Sequence, residues 1–172
     1  MRIYVSSLHG KNGSQRVREL LSYGYREMYG ESMPEMYKTE KGKPYFPSRP
    51  DVCFSLSHTD THVMCVIADS PVGCDIQNFR QVSERIVQRT CTEKELEVFG
   101  FFQLWTLKES WIKLNGSLDR EIKTIEFAGT LESVIPPKPA VRARLFQLDG
   151  CIAAVCTSGN SLPCSVIEVE NI

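Results

Sequence analysis

Residues 105–113 read Trp105-Thr106-Leu107-Lys108-Glu109-Ser110-Trp111-Ile112-Lys113, inside a longer run where Leu96, Phe99, Phe102 or Leu104, Leu107, Trp111 and Leu114 recur up to Gly116. That spacing predicts helix, because side chains three and four residues apart share a helix face. Thr92-x-x-Glu95 supplies a capping box at the start, Gly116 closes the end, and Gly100 splits the run into two pieces. On the second piece Trp105, Glu109 and Lys113 follow one another at i, i+4 and i+8, with Lys108 beside them. An otherwise apolar helix thus carries a charged stripe.

Upstream, Val72, Cys74 and Ile76 alternate with Gly73, Asp75 and Gln77, which predicts a strand with Asp75 and Gln77 on one face. Two rises of roughly 3.3 Å put them about 7 Å apart. Residues 52–57 alternate in the same way, and residues 63–68 form a wholly apolar strand ending in the turn Asp69-Ser70-Pro71. Residues 2–8 read as a strand, and His9 to Ser14 as a turn whose Ser14 caps a helix over 15–29. Val17, Leu20, Leu21 and Met28 form its apolar face, Gly24 weakens its middle and Gly30 closes it. Residues 31–50 are proline-rich and aperiodic, and read as a loop. Beyond Gly116, residues 122–128, 141–148, 151–157 and 165–170 read as strands, with a hairpin turn at Asp149-Gly150. Pro136, Pro137 and Pro139 make 134–140 a connection. Strand and helix, paired strands, a second helical region and further strands suggest two α/β halves sharing a cleft.

The 172 residues carry 20 Lys and Arg against 21 Asp and Glu, a net charge of −1. No global basic field exists to hold nucleic acid, so a generic nucleic-acid binder is not expected. No apolar run approaches the roughly 18 to 20 residues that span a bilayer, and residues 1–10 lack a secretory apolar stretch, so a cytoplasmic, membrane-free protein is expected. Seven cysteines without a Cys-x-x-Cys pair fit reduced core residues better than a disulfide framework. His58, His62 and Cys65 have ligand-like spacing, but they lead into an apolar strand, the wrong context for zinc.

Four blocks, taken in order, go further than the pattern. Gly42-Lys43-Pro44-Tyr45, Phe54-Ser55-Leu56-Ser57-His58-Thr59, Val72-Gly73-Cys74-Asp75-Ile76-Gln77 and Trp105 to Lys113 resemble the signature blocks of the Sfp-type 4′-phosphopantetheinyl transferases, within the holo-acyl-carrier-protein synthase superfamily. The resemblance covers 42–116 well and the rest more weakly. It implies an α+β chain with the 4′-phosphopantetheinyl transferase fold, one compact domain of two pseudo-symmetric halves, approximately 1–70 and 71–172, each a small antiparallel sheet packed against helices. It also implies a magnesium-dependent enzyme moving the phosphopantetheine arm of coenzyme A onto a serine of an apo acyl or peptidyl carrier protein. Adenosine 3′,5′-bisphosphate would leave. By that resemblance Asp75 and Glu109 hold the metal, joined at Gln77 either by the amide carbonyl or by a water. Lys113 touches the phosphates, and Lys43, Pro44, Ser57, His58, Arg26 and Lys108 belong to the coenzyme site. The sequence departs from the family twice: Gln77 stands where a second carboxylate is common, and about 40 residues precede Gly42 where a longer N-terminal half is usual.

Elementary chemistry is compatible with these roles. Displacement at the phosphorus of a diphosphate needs its oxygens neutralised, which a hard cation on one or two carboxylates supplies. Glu109 is also placed to accept the serine proton, directly or through a water. Each site has a plainer reading: Asp75 and Gln77 as the solvated face of an edge strand, Lys108, Glu109 and Lys113 as surface ion pairs, His58 as a satisfied loop histidine. Trp105 and Trp111 read as core packing. Arg80, Arg85 and Arg89 follow the Asp75 strand and form either a solvated face or a docking face for an acidic carrier protein. Two halves in one chain make a monomer the default. A non-catalytic coenzyme or carrier binder and a metal-dependent phosphohydrolase remain as other readings of the same residues.

Overall fold

Ile3, Tyr4 and Val5 are consecutive and all buried, so the first strand needs cover on both of its faces. The computed structural model, which describes residues 1–8, 10, 12–117 and 121–170, shows how that cover is provided. In chain order the elements are β1 (Arg2–Ser7), α1 (Gly13–Tyr29), β2 (Tyr37–Lys38), β3 (Pro44–Tyr45), β4 (Cys53–His58), β5 (His62–Ala68) and β6 (Val72–Asn78). There follow α2 (Glu84–Thr90), α3 (Glu93–Leu96), α4 (Phe101–Asn115), a 3-10 turn (Ile122–Thr124), β7 (Ala128–Gly129), β8 (Val134–Ile135), β9 (Arg142–Leu148), β10 (Cys151–Thr157) and β11 (Ile167–Glu168).

One sheet runs β11-β1-β5-β4 and another β6-β10-β9, and the short pairs β2-β3 and β7-β8 stand apart. The main pairings are antiparallel, save β11, which lies parallel to β1 with Tyr4 opposite Ile167. Alternation sends Tyr4, Cys65 and Ile67 against Leu20, Leu21 and Tyr25 of α1. It sends Ile3, Val5, Met64 and Val66 the other way, where they meet Val72, Cys74, Ile76, Ala153 and Val155 of the second sheet. The outer face of that sheet, Ala154 and Cys156, receives Leu104, Leu107, Trp111 and Leu114 of α4. The layers are therefore helix, sheet, sheet, helix, a mixed α+β arrangement.

Both helices approach their sheets through a glycine. A Cβ on Gly24 would lie 2.7 Å from the Tyr4 ring, which is why a helix-weakening residue stands in the middle of α1. A Cβ on Gly73 of β6 would lie 2.1 Å from the Ser110 carbonyl oxygen, so α4 rests backbone-to-backbone on the strand that carries Asp75. Five of the seven cysteines are buried and all seven are free. Among the described residues no helix is long and apolar enough to cross a membrane.

Several expectations are corrected. The α1 cap is Asn12, whose side chain accepts from the Gln15 N–H, rather than Ser14, and within the turn before it His9 and Lys11 lie outside the described residues. The 31–50 segment is not a plain loop but carries the β2-β3 hairpin. Residues 122–128 form a 3-10 turn leading to β7, and Val134–Ile135 pair with it despite the prolines that follow, because two residues of ladder end before Pro136. The 165–170 run contributes only β11, and it returns to the N-terminal sheet, a pairing between chain ends that local pattern does not encode.

Candidate active site

Strands β4 and β6 lie side by side without a backbone ladder, and serine hydroxyls replace it. Ser55 Oγ accepts the Cys74 N–H at 3.0 Å and Ser57 Oγ accepts the Ile76 N–H at 3.4 Å, satisfying donors that an edge strand would otherwise leave open. Ser57 then donates its own proton to Asp75 Oδ1 at 2.7 Å. Lys113, reaching across from α4, donates to the same Oδ1 at 2.8 Å, to Ser57 Oγ at 3.0 Å and to the Leu56 carbonyl at 3.4 Å. Gln77 Nε2 donates to Asp75 Oδ2 at 3.2 Å. Asp75 is 3% exposed, so it is no solvated edge residue but a buried charge whose oxygens are all engaged.

Glu109 stands one helical turn before Lys113 and makes no hydrogen bond or ion pair among the described residues. Burial pushes its carboxyl above the usual carboxylate range, the nearby Asp75 carboxylate pushes further in the same direction, and Lys113 opposes both. Two acids that repel one another across a strand-helix junction are an arrangement that a hard cation relieves. Asp75 and Glu109 fit such an ion as its carboxylate donors, and a half-turn of the Gln77 amide presents its oxygen as a third. Among the described residues no cluster of three His, Cys, Asp or Glu forms a ready-made metal cage, so phosphate oxygens or waters would complete the shell.

Beside this junction opens a cavity of about 450 Å³ lined by Arg18, Lys38, Lys41, Lys43 and Lys113, with Met36, Pro44, Phe54 and Leu56 as apolar floor and no carboxylate among the described lining residues. A concave site with five cations is suited to a polyanion. Lys43 is held there by the C-terminus of α4, donating to the Leu114 carbonyl at 2.8 Å and to the Val72 carbonyl at 3.4 Å, and its half-burial lowers its pKa. It therefore ties the β2-β3 hairpin to β6 and the end of α4 while lining the cavity. Lys113 belongs both to the cavity wall and to the Asp75 pair.

The remaining predicted site residues are distributed unevenly. His58 is exposed at the end of β4, its Nε2 3.5 Å from Ser14 Oγ, and its ring packs where a Gly13 side chain would otherwise be. It reaches the cavity rim through Ser14. Ser57 faces Asp75 and Lys113 with all its bonding capacity, as an organiser of the acid site. Arg26 sits exposed on the last turn of α1, away from the cavity lining, whereas Arg18, two turns earlier, is in it. Lys108, expected at the coenzyme site, is fully buried and absent from the cavity lining, donating to Glu95 Oε2 at 2.9 Å and to the Thr90 carbonyl at 2.8 Å. Glu95 in turn accepts from Thr92 and from the Phe127 N–H, so this pair fastens α3 and the following loops to α4. Trp111 is core, as expected, but Trp105 is only half-buried and leads a chain of ring contacts through Phe101 and Phe102 to Phe79, which is 51% exposed. Arg80, Arg85 and Arg89 are all exposed, the last two on α2 beside Ile86.

A family model described as the 4′-phosphopantetheinyl transferase superfamily matches residues 71–165, more than half of the chain. The chain belongs to that superfamily. It is 37% identical over 89 residues to the 4′-phosphopantetheinyl transferase gsp of Aneurinibacillus migulanus, covering 46% of this chain and 37% of that one. It is 31% identical over 114 residues to the 4′-phosphopantetheinyl transferase Sfp of Bacillus subtilis, covering 60% and 50%. With the 4′-phosphopantetheinyl transferase AcpT of Salmonella typhimurium it shares 29% over 138 residues, covering 73% and 68%. The chain thus spans half or less of the length of the first two relatives.

Proposed function

We propose that this chain transfers the 4′-phosphopantetheine arm of coenzyme A to a serine hydroxyl of an apo acyl or peptidyl carrier protein. The observation that carries the reading is the junction of a buried aspartate, a second carboxylate and a lysine at the edge of a five-cation cavity. Membership of the superfamily supports it. The cavity cations Arg18, Lys38, Lys41 and Lys43 offset the diphosphate and 3′-phosphate of the coenzyme. Asp75 and Glu109, with Gln77 beside them, are the residues that would hold Mg²⁺. When bound, the ion supplies charge neutralisation at the diphosphate oxygens.

The chain's own groups account for the rest. Glu109, one helical turn from Lys113 and beside Asp75, accepts the serine proton, directly or through a water, as the oxygen bonds to the pantetheine-side phosphorus. The bond from that phosphorus to the bridging oxygen breaks, and adenosine 3′,5′-bisphosphate departs with the bonding pair. Lys113 stabilises the negative charge that develops on the departing oxygen. Exposed Arg80, Arg85 and Arg89, with exposed Phe79 and Ile86 adjacent to them in the chain, suit a carrier presenting acids together with apolar surface, and steer it mainly through association rate. The enzyme acts as a monomer.

The test is mass spectrometry of a panel of apo carrier proteins incubated with the chain and coenzyme A, with and without magnesium. A magnesium-dependent gain of roughly 340 Da, the mass of the transferred arm, is the expected result. Phosphopantetheine released into water with no carrier present would make the chain a phosphohydrolase instead, and coenzyme binding with neither product would make it a binder.

A further inference from the structure

The Asp75 carboxylate is already occupied by the chain itself. Oδ1 takes the protons of Ser57 at 2.7 Å and Lys113 at 2.8 Å, and Oδ2 takes the Gln77 amide at 3.2 Å. Lys113 does not simply graze the acid: Ser57 Oγ at 3.0 Å and the Leu56 carbonyl at 3.4 Å complete a seat for its ammonium. A divalent ion seeking Asp75 Oδ1 must therefore meet a positive charge already in place. Like charges a few ångströms apart inside a partly buried site repel strongly, so ammonium and metal cannot share that oxygen without cost. Lys113 also lines the cationic cavity, and its long, flexible stem lets it exchange the carboxylate for an anionic oxygen arriving there.

Resting on the metal and coenzyme reading above, we propose that Lys113 is an internal counter-ion that competes with the divalent cation for Asp75. The chain alone then binds the ion weakly. A diphosphate entering the cavity draws the lysine off, frees Oδ1 and brings oxygens of its own, so coenzyme and metal bind cooperatively, each raising the affinity of the other by the same factor. Gln77 belongs to the same device. A carboxylate at that position would add the charge needed to displace the lysine unaided, whereas the neutral amide leaves the balance with Lys113 until the coenzyme arrives.

The experiment is titration of the chain with Mn²⁺, read as the free-ion electron paramagnetic resonance signal, with and without coenzyme A and corrected for Mn²⁺ held by the coenzyme alone. Coenzyme should tighten Mn²⁺ binding to the wild type about tenfold or more, a typical coupling between sites. Without coenzyme, Lys113→Met and Gln77→Glu should each bind Mn²⁺ about tenfold more tightly than the wild type, and Lys113→Arg, which keeps the charge, should not. Equal affinities for wild type and Lys113→Met in the absence of coenzyme, while coenzyme-loaded wild type still holds Mn²⁺, would overturn the counter-ion role and leave the metal site standing. Tight binding by Lys113→Arg would also overturn it. Absence of Mn²⁺ binding by every protein in the presence of coenzyme would instead remove the metal reading, and the inference with it. Removing the lysine leaves Asp75 buried without its cation, so unfolding midpoints provide a second readout. Mn²⁺ should raise the midpoint of Lys113→Met more than that of the wild type, and an equal rise contradicts the proposal.

Discussion

Lys113 Nζ lies 2.8 Å from Asp75 Oδ1, joining residues 38 apart in the chain and pinning helix α4 to strand β6. The contact depends on how closely the two elements approach. Gly73 sits two residues before Asp75 on the same strand, where any side chain would collide with the Ser110 carbonyl and the Leu114 backbone nitrogen, at 2.1 and 2.3 Å from the added carbon. Backbone atoms on both sides cannot swing away. Gly73→Ala should therefore destabilise the chain by about 1–3 kcal/mol or more, as overpacking does. It should also reduce transfer by moving Glu109 and Lys113 off Asp75. Denaturant unfolding and transfer assays check the two effects, and a fully stable, fully active Gly73→Ala protein contradicts this packing.

Glu109 gives a pH signature. Its carboxyl is raised by burial first and by Asp75 second, so the folded state holds this proton more tightly than the unfolded state does. Stability from this group is complete below the unfolded carboxylate range and is lost as pH rises through the folded value. Glu109→Gln removes that loss. In the presence of chelator the variant should melt higher than the wild type near pH 7, and the difference should shrink to nothing in acid. A variant less stable at neutral pH would contradict the placement of Glu109.

Lys108 and Glu95 form a buried pair 2.9 Å apart, with side chains 0% and 2% exposed. Removing one partner strands the other. Lys108→Met should cost about 3–5 kcal/mol, and Lys108→Met with Glu95→Gln considerably less, since the amide keeps an acceptor for the Phe127 N–H without the buried charge. Additive costs in a double-mutant cycle would mean the pair is not coupled. Were Lys108 a coenzyme ligand, its loss would weaken coenzyme binding in the folded fraction; no such weakening is expected.

Charge reversal on α2 separates a docking face from a merely solvated one. Arg85 is exposed, and Arg85→Glu should raise the carrier's KM about tenfold at low salt, with the difference fading as ionic strength rises. An unchanged KM and an unchanged salt dependence would remove α2 from the carrier interface.

The elements that carry the candidate site residues were legible because they are regular. The i, i+4, i+8 stripe of Trp105, Glu109 and Lys113 and the β-alternation of Asp75 and Gln77 are periodicities, and both elements formed where they were expected. The burial of Lys108 is readable from the same wheel: it falls on the stripe of Leu104, Leu107 and Trp111, and a buried lysine needs an acid such as Glu95. Lys38 and Lys41 were missed because the 31–50 segment lacks periodicity, and only folding of the β2-β3 hairpin turns its lysines towards the cavity. Arg18 was missed in favour of Arg26 since both look alike on a helix whose orientation is set by packing. Ser55 and Ser57, standing in for a missing ladder between β4 and β6, depend on the meeting of two sheets, which no local pattern specifies.

The account turns on Asp75 and Glu109 acting together on a bound diphosphate, and one measurement tests this most directly. Single-turnover transfer from coenzyme A to an apo carrier should be followed by intact-protein mass spectrometry for the wild type, Asp75→Asn and Glu109→Gln. The wild type should add roughly 340 Da to the carrier in magnesium and nothing in chelator, and each variant should slow the step by about 10² to 10⁴-fold. A carrier that gains this mass at the wild-type rate with either acid removed, or no gain by any carrier with the wild type, would contradict it.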